Sequence, residues 1–164
     1  MNLITPEQVK QSTPMQAGLE DYLFENDIPF AQQTILGKLL GSALTQWLIA
    51  QIAGGSPLAA ATALLAKLVP ALCWQTLYLA LPALHLRITA KGLVSQNGND
   101  SLIKSAQLKE LEYMRSRALE RADGYAADTL SFLRENASDY PGWTDPGTAS
   151  AQSIGLYIPP EGVV

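Results

Sequence analysis

Acidic residues are absent from Lys38 to Asn99, cysteine and histidine occur once each, and charged residues make up only 16% of the 164-residue chain. Each scarcity removes a class of function. With Cys73 alone, no internal disulfide can form, and its place in an apolar run suits a buried, inert thiol rather than a nucleophile. His85 has no second histidine or cysteine near it in sequence, so a metal pair is not expected. A Gly-rich phosphate loop, a nucleophile elbow and an HExxH pair are all missing. The carboxylates fall mostly among bases on helix exteriors, which suits solvation better than acid/base chemistry. The sequence therefore predicts no enzyme, no catalytic or metal-binding residue and no cofactor. Basic residues are too dispersed for sequence-specific nucleic-acid binding. The start MNLITPEQVK lacks the basic and apolar regions of a signal peptide, which places the protein in the cytoplasm where it is made.

What the chain does have is hydrocarbon. Hydrophobic residues reach 48%, and between Ser56 and Leu86 the only charge is Lys67. Such a run must leave water, into lipid or into protein. Leu68 to Leu86 is close to the roughly 20 residues that span a bilayer. Pro70, Gln75, Pro82 and His85 interrupt it, and its alanine-rich first half gives little insertion energy, so a core helix is the reading adopted here. Charge is also segregated. Residues 1–37 carry Lys10 against Glu7, Glu20, Asp21, Glu25 and Asp27, whereas Lys38, Lys67, Arg87 and Lys91 follow with no acid before Asp100. Opposite segments of this kind suit contact with each other or with neighbouring copies.

In chain order, Thr5-Pro6-Glu7-Gln8 signals a capping box opening a short helix that Pro14 closes. A second helix is expected over about Gln16–Asn26, and a third from Lys38 to Ala53, stopped by Gly54-Gly55. Ser56-Pro57 opens the apolar run, with a kink or break predicted near Pro70. From Leu84, apolar residues alternate with His85, Arg87 and Thr89, predicting a small β-hairpin near 84–95 that Leu93-Val94-Ser95 completes. The longest helix is expected over Lys104–Glu135, with an inward stripe that includes Arg115 and Thr129, and with Arg117 and Glu120 paired on its exterior. Gly124 is a weak point there unless it permits a close helix crossing. Leu40, Leu44, Trp47, Leu72, Trp74, Leu77, Leu81, Leu111, Ala118 and Tyr125 form the candidate core. The fold class is thus mainly α: a helical bundle over residues 1–136 with a small hairpin, then an extended arm over 137–164. Trp143, Ile154, Leu156, Tyr157 and Ile158 are not what a free linker carries, and they predict docking of the arm on its own domain or on a neighbour.

Several stretches, in order, resemble the head-tail connector (adaptor, or head-completion) proteins of tailed bacteriophages, in a branch of connector-like proteins from phage and prophage structural gene clusters. They are Leu3–Lys10, Ala31–Gly37, Leu68–Leu72 and Leu81–Val94, then the long charged helix, Phe132–Asn136 and Asp139–Trp143. The resemblance spans about Leu3 to Trp143 and leaves the later arm without a counterpart. It implies a virion protein of the neck, assembled in the host cytoplasm as a ring of commonly twelve copies beneath the portal protein. Such a ring joins the DNA-filled head to tail or neck proteins and needs neither membrane nor cofactor. Arg87, Lys91 and Leu93, with the arm residues named above, are then candidate contacts between subunits or with partners. Lys38, Lys67, Arg87 and Lys91 are candidates for non-specific proximity to DNA in the channel. Two other classes fit the residues less closely: a small membrane-associated helical protein, and a soluble helical regulatory module.

Overall fold

A computed structural model describes residues 1–89, 92–95 and 101–147, with side chains described for 1–84 and 109–147. The chain is mainly α, arranged in sequence around one central apolar helix.

Helix α1, Pro6–Ser12, starts on the predicted capping box: Gln8 N donates to Thr5 Oγ1 at 3.3 Å, and Thr5 N donates to Gln8 Oε1 at 2.9 Å. Its one buried residue is Val9. Ahead of it the chain is pinned to the next helix, because Gln32 accepts from Leu3 N at 2.7 Å and donates to the Met1 carbonyl at 3.1 Å.

The expected helix over Gln16–Asn26 does not form. A single 3₁₀ turn, Asp21–Leu23, stands in irregular chain. An isolated helix of about eleven residues is marginal in water, and Gly18 weakens this one further. Lys10 reaches across instead, pairing with Asp21 at 2.7 Å and donating to the Ala17 carbonyl at 3.3 Å, and Phe24 is buried beneath it.

Helix α2 (Asp27–Leu39) and helix α3 (Gly41–Ala53) divide where the sequence reading had one helix begin at Lys38. Pro29 falls in the first turn of α2, where its missing N–H costs nothing. Gly37 stays helical. The turn comes at Gly41, whose φ of +69° is the left-handed conformation that glycine alone adopts cheaply. Ile28, Ala31, Ile35 and Leu39 line the buried face of α2, and Leu44 and Leu48 that of α3. Gly54 and Gly55 end α3 as expected.

Helix α4, Ala59–His85, continues through both prolines as one helix. The predicted break near Pro70 is absent because packing offsets the lost hydrogen bond. One turn away, Thr129 Oγ1 donates to the Lys67 carbonyl at 3.1 Å, sharing its proton with the Tyr125 carbonyl at 2.8 Å. An 18-residue window in Ala59–Leu84 has mean hydropathy 1.5, long and apolar enough to cross a membrane, but 56% of it is buried inside this protein. Leu64, Leu68 and Leu72 are wholly buried, and α4 as a whole packs on α2, α1 and the long final helix. The helix extends through Leu84 and His85, which the sequence reading had assigned to a strand.

Strand β1, Leu86–Thr89, pairs antiparallel with β2, Gly92–Ser95, setting Arg87 opposite Val94 and Ile88 opposite Leu93. Helix α5, Ser101–Glu135, then returns along α4 in the largest helix–helix contact of the molecule. Ala118, Ala122, Ala126 and Thr129 face inward at every third or fourth position, and such small side chains let two helices approach closely. Arg115, in the same stripe, lays its guanidinium 4.7 Å from the centre of the Tyr78 ring, an arrangement worth about 0.5–2 kcal/mol. Gly124 is exposed, and a Cβ there would meet nothing within 4 Å, so it serves no helix crossing.

Of the candidate core, Leu40, Leu44, Leu72, Leu77, Leu81 and Ala118 are buried, while Trp47, Trp74, Leu111 and Tyr125 pack half-buried at its edge. Phe24, Ile35, Leu64, Leu68 and Leu133 belong to the core as well.

Candidate interaction site

Past α5 the sequence predicts an arm from residue 137 that docks on its own domain or on a neighbour. Its first part docks on its own domain. Tyr140-Pro141-Gly142-Trp143 has the signature of a type II turn: proline second, glycine third with φ +82°, and Trp143 N donating to the Tyr140 carbonyl at 3.2 Å. The turn drives two aromatics into the body. Tyr140 is buried, packs edge-on against Trp47 and donates to the Ala60 carbonyl at 3.0 Å. Burial, reinforced by the Asp139 carboxylate, pushes its phenol above the usual range and keeps it a donor. Trp143 Nε1 donates to the Leu39 carbonyl at 2.8 Å, satisfying a carbonyl left open at the end of α2. Residues 137–147 therefore clasp α2, α3, α4 and α5 together. Trp143, predicted to dock on its own domain or on a neighbour, packs half-buried against its own domain.

The clasp is fastened by Arg134, which holds Asp145 through two bonds, Nε–Oδ2 at 2.7 Å and Nη2–Oδ1 at 3.1 Å. Gly147 N also donates to Asp145 Oδ1 at 2.8 Å. The guanidinium, helped by that amide, holds the Asp145 carboxyl below its ordinary value of 3.8. A carboxyl whose folded value is depressed contributes above its unfolded value, and that contribution goes as pH falls through the folded one. Exchange protection in residues 143–147 is therefore expected to decline below about pH 3.8 in the native chain, and to be low and independent of pH in Asp145→Asn. Equal pH profiles for the two proteins, followed by NMR, would contradict this.

The hairpin residues Arg87 and Leu93 lie in paired strands, while Lys91, Ile154, Leu156, Tyr157 and Ile158 lie outside the described residues. His85 ends α4. Among the described residues there is no group of three or more histidine, cysteine or acidic side chains able to hold a metal ion. Cys73 is fully buried, and burial pushes its thiol up to about 11, so it stays protonated near neutral pH. Arg117 pairs with Glu120 at 2.8 Å as the spacing predicts, a surface contact worth a few tenths of a kcal/mol. No ion pair among the described residues joins the acidic segment to the basic middle; Lys10 serves its own segment.

One surface feature had no signal in the sequence. A trench runs along α5, polar at one end and apolar at the other. Its polar end is lined by Asp128, Tyr125, Gly124, Arg121 and Arg117. The same two arginines continue it past Ala118, Trp74 and Tyr113. It deepens into a cavity of about 360 Å³ between α4, α5 and the irregular chain after α1, lined by Met15, Leu19, Leu77, Leu81, Leu111 and Met114. Tyr113 is 66% exposed and Met114 44%, high for large apolar side chains beside a groove.

Residues 33–153 match the model of a family of unknown function, DUF6712. No curated protein and no solved structure matches the chain.

Proposed function

We propose that this chain, which belongs to the DUF6712 family of unknown function, is a structural protein of the tailed-phage neck, forming a ring that joins the portal of the filled head to the tail. The reading rests on the ordered stretches that resemble head-tail connectors, and one observation of the fold carries it further. The hairpin Leu86–Ser95 sits between the two longest helices, and its sheet has only two strands, so each strand has one edge without a partner strand among the described residues. A two-stranded hairpin is marginal alone, and an unpaired edge is a ready template for a strand from another chain. Strand pairing between neighbours, repeated around an axis, closes a ring. In this reading Arg87, Lys91 and Leu93 lie at the contact between copies, and the helical body meets portal and tail proteins. No step of catalysis and no cofactor enters.

Negative-stain microscopy of the purified protein tests it. Rings are expected for the native chain, and replacing Leu86–Ser95 with a short Gly/Ser linker is expected to leave folded protomers that no longer close into rings. Rings that survive this replacement would remove the hairpin from the contact. A native chain that stays monomeric and needs detergent would overturn the connector reading in favour of a membrane-associated protein.

A further inference from the structure

We infer that the trench along α5 is the seat of the protein's own C-terminal segment, with residues 148–153 in its polar end and Ile154–Ile158 in its apolar cavity. The inference is independent of the ring reading.

The starting point is where the described chain stops. Gly147 is held beside Arg134, since a Cβ on it would lie 3.1 Å from Arg134 Nη2. The polar end of the trench begins at Asp128, six residues or about 9 Å back along the helix axis. From there distances along α5 and along an extended strand keep step. Ile154 is seven residues past Gly147, about 23 Å of extended chain, and Ala118 is about 24 Å from Arg134 along the helix. Leu156 reaches about 30 Å, the axial distance to Met114. Ile158 reaches about 36 Å, the axial distance to Glu110 at the far wall of the cavity.

Polarity follows the same register. Thr148-Ala149-Ser150-Ala151-Gln152-Ser153 is small and polar, and would pass the stretch lined by Arg121, Gly124 and Asp128. Open space over Gly124 gives the backbone room. Ile154, Leu156, Tyr157 and Ile158 would then meet Leu77, Leu81, Leu111 and Met114. No charged residue occurs between Asp145 and Glu161, so nothing charged would be drawn into the apolar end. A tethered segment that just spans the distance has a millimolar effective concentration, which favours it over the same segment of another copy.

Cross-linking in the full chain tests this, with Cys73 left in place because it is buried. Met114→Cys with Leu156→Cys is expected to form a disulfide within one chain under mild oxidation. Its yield should be several-fold above that of Met114→Cys with Ser150→Cys, whose partner falls about 20 Å short. Met114 is exposed and residue 156 lies outside the core, so folding should not be at issue. In a second measurement, Leu156→Asp with Tyr157→Asp is expected to raise amide exchange several-fold over Leu77–Leu84 and Glu110–Met114. Equal yields from the two cysteine pairs, a disulfide found only between chains, or unchanged exchange would each overturn the inference.

Discussion

Leu68→Ala is expected to lower the free energy of unfolding by about 2–5 kcal/mol, the range for emptying a well-packed leucine site. Leu68 lies mid-way along α4 and is wholly buried, with Leu64 and Leu72 one turn to either side. Collapse around the deleted atoms is limited: Pro70 is two residues on, and Thr129 already ties the adjoining Lys67 carbonyl to α5. In a domain of this size the change corresponds to a melting temperature lower by roughly 5–20 °C. Leu65→Ala on the half-buried side of the same helix should cost less, because water can fill part of the space it leaves. Urea unfolding followed by circular dichroism checks both. A cost below about 1 kcal/mol at Leu68 would mean that α4 is not the packed centre described here.

The second large effect concerns where the domain ends. A chain stopping at Asn136 lacks the buried Tyr140 and the half-buried Trp143, and losing a buried aromatic costs about 3–5 kcal/mol, a half-buried one somewhat less. The two losses together, with the Arg134–Asp145 pair, are comparable to the lower end of a typical domain's stability, about 5–15 kcal/mol. The shortened chain is therefore expected to be largely unfolded or aggregated at 25 °C. A chain stopping at Gly147 keeps the clasp and should melt within a few degrees of the full protein, with only the α5 trench losing protection. Thermal melts of both truncations decide the boundary. If the chain ending at Asn136 melts like the other, the clasp is ornamental and the helical bundle over residues 1–136 stands alone.

What could be read from the sequence depended on how local each cause was. The capping box at Thr5, the Gly54-Gly55 stop and the i, i+3 pair of Arg117 and Glu120 involve neighbours in the chain, and spacing alone revealed them. The burial of Cys73 followed from the company it keeps. Elements decided by distant contacts were misjudged. Lys10 and the burial of Phe24 fix residues 16–26 as irregular chain, although Leu19 and Leu23 have helical spacing. Pro70 and Pro82 mark disturbances in an isolated helix, but α4 packs on α1, α2 and α5 and continues past both as one helix. Alternation at Leu84 imitates a strand because a helix end and a strand start share the same few residues. The clasp was legible only in part: Trp143 marks a segment that docks, but Tyr140 and Trp143 find partners up to 104 residues away, which local composition does not specify. The trench was beyond reach for the same reason: it exists only once three separate parts of the chain have met.

The clasp also sets an order of events during synthesis. Helix α4 is complete at His85, but α5 and then Trp143 must follow before the body can close. At about 5–20 residues per second, the ribosome needs roughly 3 to 12 s to make those 58 residues. Throughout that interval the most apolar helix of the molecule has only α1, α2 and α3 to cover it, and the face that α5 will occupy is bare. Nascent-chain self-association, rather than unfolding of the finished protein, is thus the principal hazard that this chain order creates.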